Sequence, residues 1–446
     1  MRRTAFHTVW KSSGPPVASR IPHRLNMHRL APLVALACAL NAPILAQPAA
    51  PDLLDLVIRT PAVDAARKRV DAARARANSA GRLADPEIEA MGSRVNADAM
   101  GQNRDMWELN LRQPLPKRGE RAADRERASA AISMAEAELA LSIGELAADV
   151  AMALAEAEGA ESRARLLEAQ LNRMGAVLRT METRLAAGAS VRLADRLTVQ
   201  SRIASLQLAL ERARRIAEDS RTLARGRLAL PPDAALPPFS APENSDINPA
   251  DSVVSALALA RSAEANAMTR MARASANPST AVGVRFERER SSMGNQDIVG
   301  LAFSSEIPFR NQGYARADVR AAEAERAAAQ SDAASARYRV STILARLERA
   351  ERFTTMARRL GDETEKRLAA EHDVLSRAVS VGAASGTMAG ESAVLHAVEI
   401  LEKSTDTHLE IIEAETAART TRAELWRYLP ASKLLRTLNS QPSTLN

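Results

Sequence analysis

Pro114-Leu115-Pro116-Lys117-Arg118-Gly119 is the stretch on which the fold turns. Before it, residues 106–113 alternate: Trp107, Leu109 and Leu111 fall on one side, Glu108, Asn110 and Arg112 on the other. That is the period of a strand with one apolar face. After it, residues 120–183 contain no proline, and glycine only at 144, 159 and 175. Such an Ala-rich run is read as one helix, about 100 Å long at 1.5 Å per residue. The quoted residues are therefore read as a structural turn between a strand and a helix.

The plan then repeats. Ile307-Pro308-Phe309-Arg310-Asn311-Gln312-Gly313 again separates an alternating run from a long helical one, residues 314–380. Pro308 follows Pro114 by 194 residues, Gly313 follows Gly119 by 194, and Gly382 follows Gly188 by 194. Three landmarks at one offset mean a duplication and two similar structural halves.

Each half reads as helix, strand, strand, long helix, bend, helix. The first opens with a helix over 51–83, closed by Gly81 and Asp85-Pro86. A weaker alternation over 87–95 (Ile88 and Ala90 against Glu87 and Glu89) pairs with 106–113 across a polar turn, 96–104. In the second half Val282, Val284 and Phe286 alternate with Gly283, Arg285 and Glu287. After a turn at 291–296, Val299, Leu301 and Phe303 alternate with Gly300, Ala302 and Ser304. The long helices are expected to bend at Gly188 and Gly382 and to return over 193–228 and 388–429, giving one antiparallel helical hairpin per half. The fold class is mainly α with a small β part. The organisation is 1–46 leader, 47–229 first repeat, 230–249 linker, 250–430 second repeat and 431–446 tail. Six prolines between 231 and 249 make the linker extended, and the polar last residues, 440–446, are read as unstructured.

Met27–Leu40 has a basic start (His28, Arg29), an apolar run from Ala31 to Leu40 and a small-residue exit at Ile44-Leu45-Ala46. This is the pattern of a secretory signal, with Met27 as an alternative start; a buried helix is the other reading. The formal charge of +7 comes largely from this leader, which holds six basic residues and no acid. Without it, 55 basic residues stand against 54 acidic ones, so the charge balance gives no reason to expect nucleic acid as a partner. The one cysteine, Cys38, lies in the leader, where lipid attachment is an alternative, and the rest of the chain has no thiol chemistry. Aromatics are only 3% of the residues, which favours long helices packed through small side chains over one large core.

No catalytic constellation emerges. His372, His396 and His408 have no metal-ligand spacing, the methionines form no ladder, and there is no nucleophile elbow, phosphate loop or dinucleotide fingerprint. The reading is a protein without enzymatic activity, cofactor or metal. The strands, about ten residues long, suit either a soluble hairpin packed on a core or a tilted crossing of a bilayer. Two hairpins do not close a barrel, so the membrane reading needs several chains to pool strands.

Gln113-Pro114-Leu115-Pro116 before an Ala-rich helix, Ile307–Gly313 in the second half, and the twice-repeated order of elements behind a signal resemble the TolC-like outer membrane efflux family. The resemblance spans essentially the whole chain after the leader. It implies a homotrimer whose twelve strands form a β-barrel in the outer membrane of a Gram-negative bacterium, with a helical tunnel through the periplasm. Trp107, Leu109, Leu111, Val282, Val284, Phe286, Val299, Leu301 and Phe303 would face lipid. The linker would lie at the tunnel's equator, and the bends at its periplasmic tips.

There, Arg184, Gly188 and Ser190 in the first tip, and Gly382, Ser385 and Gly386 in the second, would dock a periplasmic adaptor protein that leads to an inner-membrane pump. The family's acidic constriction maps onto Met388 and Glu391, of which only Glu391 keeps a charge; Asp195 is a further candidate. Arg310-Asn311-Gln312-Gly313 resembles members serving resistance-nodulation-division pumps, including the heavy-metal branch. The implied function is a passive exit duct for metal ions or drugs. The alternative is a periplasmic coiled-coil scaffold or adaptor without a pore.

Overall fold

The computed structural model describes residues 52–95, 104–186, 193–291, 294–306, 312–385 and 389–439, all within one compact unit, Ala50–Asn446. The leader read at 1–46 and the final residues 440–446 lie outside the described residues. The elements are α1 (Leu53–Ile58), α2 (Pro61–Ala77), β1 (Glu87–Val95), β2 (Arg104–Leu115), α3 (Glu120–Ala186), α4 (Leu193–Arg227), α5 (Val253–Ser275), β3 (Thr280–Ser291), β4 (Gly294–Ser305), α6 (Gln312–Ser385), α7 (Ala389–Ala423) and α8 (Ala431–Asn439). Short 3-10 turns lie at Asn244–Asp246 and Glu424–Tyr428.

The duplication is visible as two helix–hairpin–helix halves. α3 has 67 residues and α6 has 74, each about 100 Å or more at 1.5 Å per residue. Near the strands the helices lie in the order α2, α3, α5, α6; toward the far end the order is α4, α3, α7, α6. α3 and α6 therefore run the full length, while α2 and α4 share one flank of α3, and α5 and α7 fill the space between the long helices.

The main core sits at the middle, where Ile143, Val150 and Leu154 of α3 meet Leu53, Val253, Val340, Leu347, Leu425 and Leu429. Smaller clusters continue down the hairpins: Leu167 with Leu210 and Ala213, then Met174 and Met181 with Val199 and Val398. Alanine dominates the buried positions of α3, so helices approach closely. At Gly159 the approach is closest: a Cβ there would stand 2.8 Å from Cγ2 of Thr416 on α7.

Several expectations from the sequence need correction. The first helix is two helices, because Pro61 starts α2 and holds Thr60 in extended backbone (ψ 148). α2 also ends at Ala77, ahead of the expected boundary. The second bend is not at Gly382: α6 continues through it to Ser385. One glycine among alanines costs a helix only about 1 kcal/mol and does not stop it. The turn between β3 and β4 is shorter than 291–296, since Arg290 pairs with Asn295 and Ser291 with Gly294.

The segment after Pro430 opens with a helix for which the sequence reading gave no element. α8 follows the proline, and its Leu434 is 1% exposed in the main core. Lys433 donates to Asp246 at 2.9 Å and holds that carboxyl below its usual range. The Pro-rich linker packs against the same core through Leu230, Leu236 and Phe239, and Ser240 O accepts from the Trp426 indole at 3.1 Å.

Candidate channel wall and helical tips

The four strands form one antiparallel sheet in the order β1-β2-β3-β4. Its register aligns Ile88, Leu111, Val284 and Leu301 in one row, and Ala90, Leu109, Phe286 and Val299 in the next. Val282 pairs with Phe303 on the other side of the first row. Because side chains alternate between faces, all nine expected lipid-facing residues occupy one face of the sheet. No described residue covers that face: Leu301 is 92% exposed, Val299 and Phe303 71%, and Trp107 66%. Ile88, outside the expected lipid-facing set, belongs to it at 72%. Trp107 lies over the space left by Gly92, where an added Cβ would meet its ring at 3.5 Å. An apolar face of this extent signals contact with lipid or another protein.

The opposite face is charged. Arg112 lies 3.5 Å from Glu87, Arg285 3.1 Å from Glu108 and 3.0 Å from Glu287, and Arg104 3.2 Å from Glu289. Sequence reading placed several of these away from lipid but missed the cross-strand ladder, because partners come from strands more than 170 residues apart in the case of Arg285 and Glu108. The alternation of charge with apolar residues was the available signal.

The strand-to-helix turn begins inside the ladder. Pro114 is the penultimate residue of β2, paired with Ala281. Gly119 has φ +84, a left-handed conformation that favours glycine. Lys117 N–H donates to Glu120 Oε2 at 2.7 Å, closing the start of α3. The turn is tied to the second half: Lys117 Nζ donates to Ser275 O at 2.7 Å, and Asn277 Nδ2 to Arg118 O at 3.0 Å. The second-half turn is not equivalent. Gly313 is the second residue of α6, whereas Gly119 precedes α3; Pro308 lies outside the described residues.

At the far end, Arg184 stands in the last turn of α3, and Gly382 and Ser385 in the last turns of α6. Gly188, Ser190, Gly386 and Met388 lie outside the described residues. Asp195 is the third residue of α4 and Glu391 the third of α7. The two acids thus hold matching positions in the returning helices, where an acid is favoured by the helix dipole. The hairpins run side by side toward these ends, joined by Arg202 and Glu402 at 3.1 Å. Among the described residues no group of His, Asp or Glu is arranged to hold a metal, and no helix is long and apolar enough to cross a membrane.

Residues 55–225, spanning most of the first repeat, match the family model described as outer membrane efflux protein. The likeness to that family by sequence is carried by this repeat.

The solved structures it resembles have the same fold. A membrane protein from Pseudomonas aeruginosa aligns at 19% identity over 84% of this chain and 88% of its own, with a TM-score of 0.65. The Campylobacter jejuni CmeC outer membrane channel aligns at 13% over 87% and 88%, TM-score 0.63. The outer membrane protein VceC from Vibrio cholerae aligns at 14% over 83% and 95%, TM-score 0.61. Comparison by sequence with curated proteins finds no match. The matched family is one of outer membrane efflux proteins, not of enzymes.

Proposed function

We propose that three copies of this chain form the exit duct of a tripartite efflux pump. The observation that carries the reading is that sheet and helices end on the same two edges. β1 follows α2 on one side of the chain, and β4 leads into α6 on the other. Among the described residues the outer edges of β1 and β4 have no strand partner, and an open sheet edge is not tolerated in hydrocarbon. The large apolar side chains left exposed on the helices concentrate on the matching flanks: Leu197, Leu208, Ile216 and Leu223 on α4, and Tyr338, Phe353, Met356, Leu360 and Val374 on α6. One rotation that sets β4 of one copy against β1 of the next also sets α6 against α4, so a single head-to-tail contact closes both layers into rings. Three copies give twelve strands, with the apolar face toward lipid and the charged ladder toward water.

The helical ends around Arg184, Gly188 and Ser190, and around Gly382, Ser385 and Gly386, then face the periplasm and dock an adaptor protein joined to an inner-membrane pump of the resistance-nodulation-division type. The pump selects the substrate, heavy-metal ion or drug, and supplies the energy. Asp195 and Glu391, with Met388 beside the latter, form the constriction that docking relaxes, as a shift between closed and open populations.

Fractionation and planar-bilayer recording of the purified protein test the proposal together. The outcome is a heat-modifiable trimer in the outer membrane, whose conductance rises in Glu391→Ala. A lone subunit in the soluble periplasmic fraction removes the duct. A trimer whose conductance is unchanged in both Glu391→Ala and Asp195→Ala removes the gate alone.

A further inference from the structure

The apolar face of the sheet ends in an arrangement of charge that the duct does not use. Arg94 and Asp105 are directly opposite on β1 and β2, and Arg288 and Asp297 on β3 and β4. Both pairs are two-pronged: Arg94 Nε and Nη2 donate to Asp105 at 2.7 and 3.1 Å, and Arg288 Nε and Nη2 to Asp297 at 2.7 and 2.9 Å. By alternation these groups share the face of Leu109 and Phe286. Arg288 and Asp297 lie in the row of Trp107, while Arg94, Asp105 and Arg290 lie one row further toward the hairpin ends. Arg94 and Arg288 are themselves 194 residues apart, so the pairing recurs in both halves of the duplication.

Charges on the lipid-facing side of a barrel are tolerated near the interface, not at the midplane. All the helices leave from the opposite strand ends. The charged rows therefore sit at the outer leaflet, just beyond a tryptophan of the kind that anchors a barrel at headgroup level. Each pair uses only the Nε side of its guanidinium, which leaves Nη1 open to a second acceptor. Arg290 lies opposite Asp105, whose two oxygens Arg94 already occupies; its charge acts on Asp105 and Asp297 across space, while the side-chain hydrogen bonds to them come from Arg94 and Arg288. Among the described residues the band holds three Arg and two Asp per chain, which makes nine guanidinium groups around a trimer.

We propose that Arg94, Arg288 and Arg290 form a belt that binds the phosphate groups of the phosphorylated glycolipid in the outer leaflet. Guanidinium matches phosphate oxygens in pairs and sheds water more readily than an ammonium. The Asp partners hold two of the three guanidinium groups in place before lipid arrives. The inference rests on the duct reading, which turns this face to lipid.

Native mass spectrometry of the detergent-purified protein tests it with three probes: bis-phosphorylated lipid A, lipid A stripped of both phosphates, and inorganic phosphate. The wild-type trimer retains phosphorylated lipid A, binds the stripped lipid about tenfold more weakly or worse, and is not competed by millimolar phosphate. The triple variant Arg94→Gln/Arg288→Gln/Arg290→Gln loses the preference. Arg290→Gln, which leaves both Arg–Asp pairs intact, weakens it severalfold and decides the matter if the triple variant does not assemble. Equal binding of the two lipids by wild type, displacement by free phosphate, or an unchanged preference in Arg290→Gln overturns the belt. A conducting trimer indifferent to lipid phosphate leaves the duct standing, whereas absence of a trimer removes the duct itself.

Discussion

At the residue scale, the chain depends on small side chains where larger ones would be admitted elsewhere. Gly159 faces Thr416 across the contact of α3 with α7, and the Thr416 hydroxyl is itself held by Ile412 O at 2.7 Å. A short β-branched neighbour bonded in this way has nowhere to turn. Gly159→Leu is therefore expected to lower stability by about 1–3 kcal/mol through overpacking, read as an earlier thermal transition of the detergent-extracted protein. Gly159→Ala should be milder, and a Leu variant as stable as the parent would contradict the packing described. The ion pairs that flank this contact, Arg163 with Glu413 and Arg419 with Glu158, are largely exposed, so they add little beyond register.

At the element scale, α8 has only nine residues and lies at the end of the described chain, yet it reaches the main core. Its Leu434, Leu435 and Leu438 recur at helical spacing on the side that meets the core. A helix this short has little stability of its own and forms because packing holds it. Leu434→Ala should cost about 2–4 kcal/mol. Hydrogen exchange should then show loss of protection over 431–439 before the long helices lose theirs. Protection unchanged there would mean that α8 is held by something other than this leucine. The element boundaries follow the same logic. Prolines at 61 and 430 mark helix starts because their effect is local, whereas Gly382 failed as a boundary because glycine weakens a helix without forbidding it.

At the scale of the whole molecule, the chain is half-finished on both flanks. α4 and α6 leave rows of large apolar side chains exposed on helices otherwise packed through alanine. Ile216→Glu on α4 or Phe353→Glu on α6 places a charge where a neighbouring copy is expected. Each should shift the assembled species toward monomer in detergent by tenfold or more, since a buried unpaired charge costs at least several kcal/mol. Circular dichroism should stay near that of the parent, because neither residue lies in the core of the single chain. Assembly unimpaired in both variants would place the contact elsewhere.

Much of this was legible in the sequence because it rests on local signals. Period-2 alternation marked the strands, long proline-free runs marked the helices, and the 194-residue offset marked two halves. The nine apolar strand residues were found because alternation alone determines which face they share. The pairing of Arg285 with Glu108, the docking of α8, the seating of the Pro-rich segment under Trp426 and the Arg–Asp pairs at the hairpin ends were settled only by tertiary structure. In each of these, partners from separate elements meet through strand register or core packing. Local propensity says what a segment becomes; which segments meet is decided by how the whole chain buries its apolar surface.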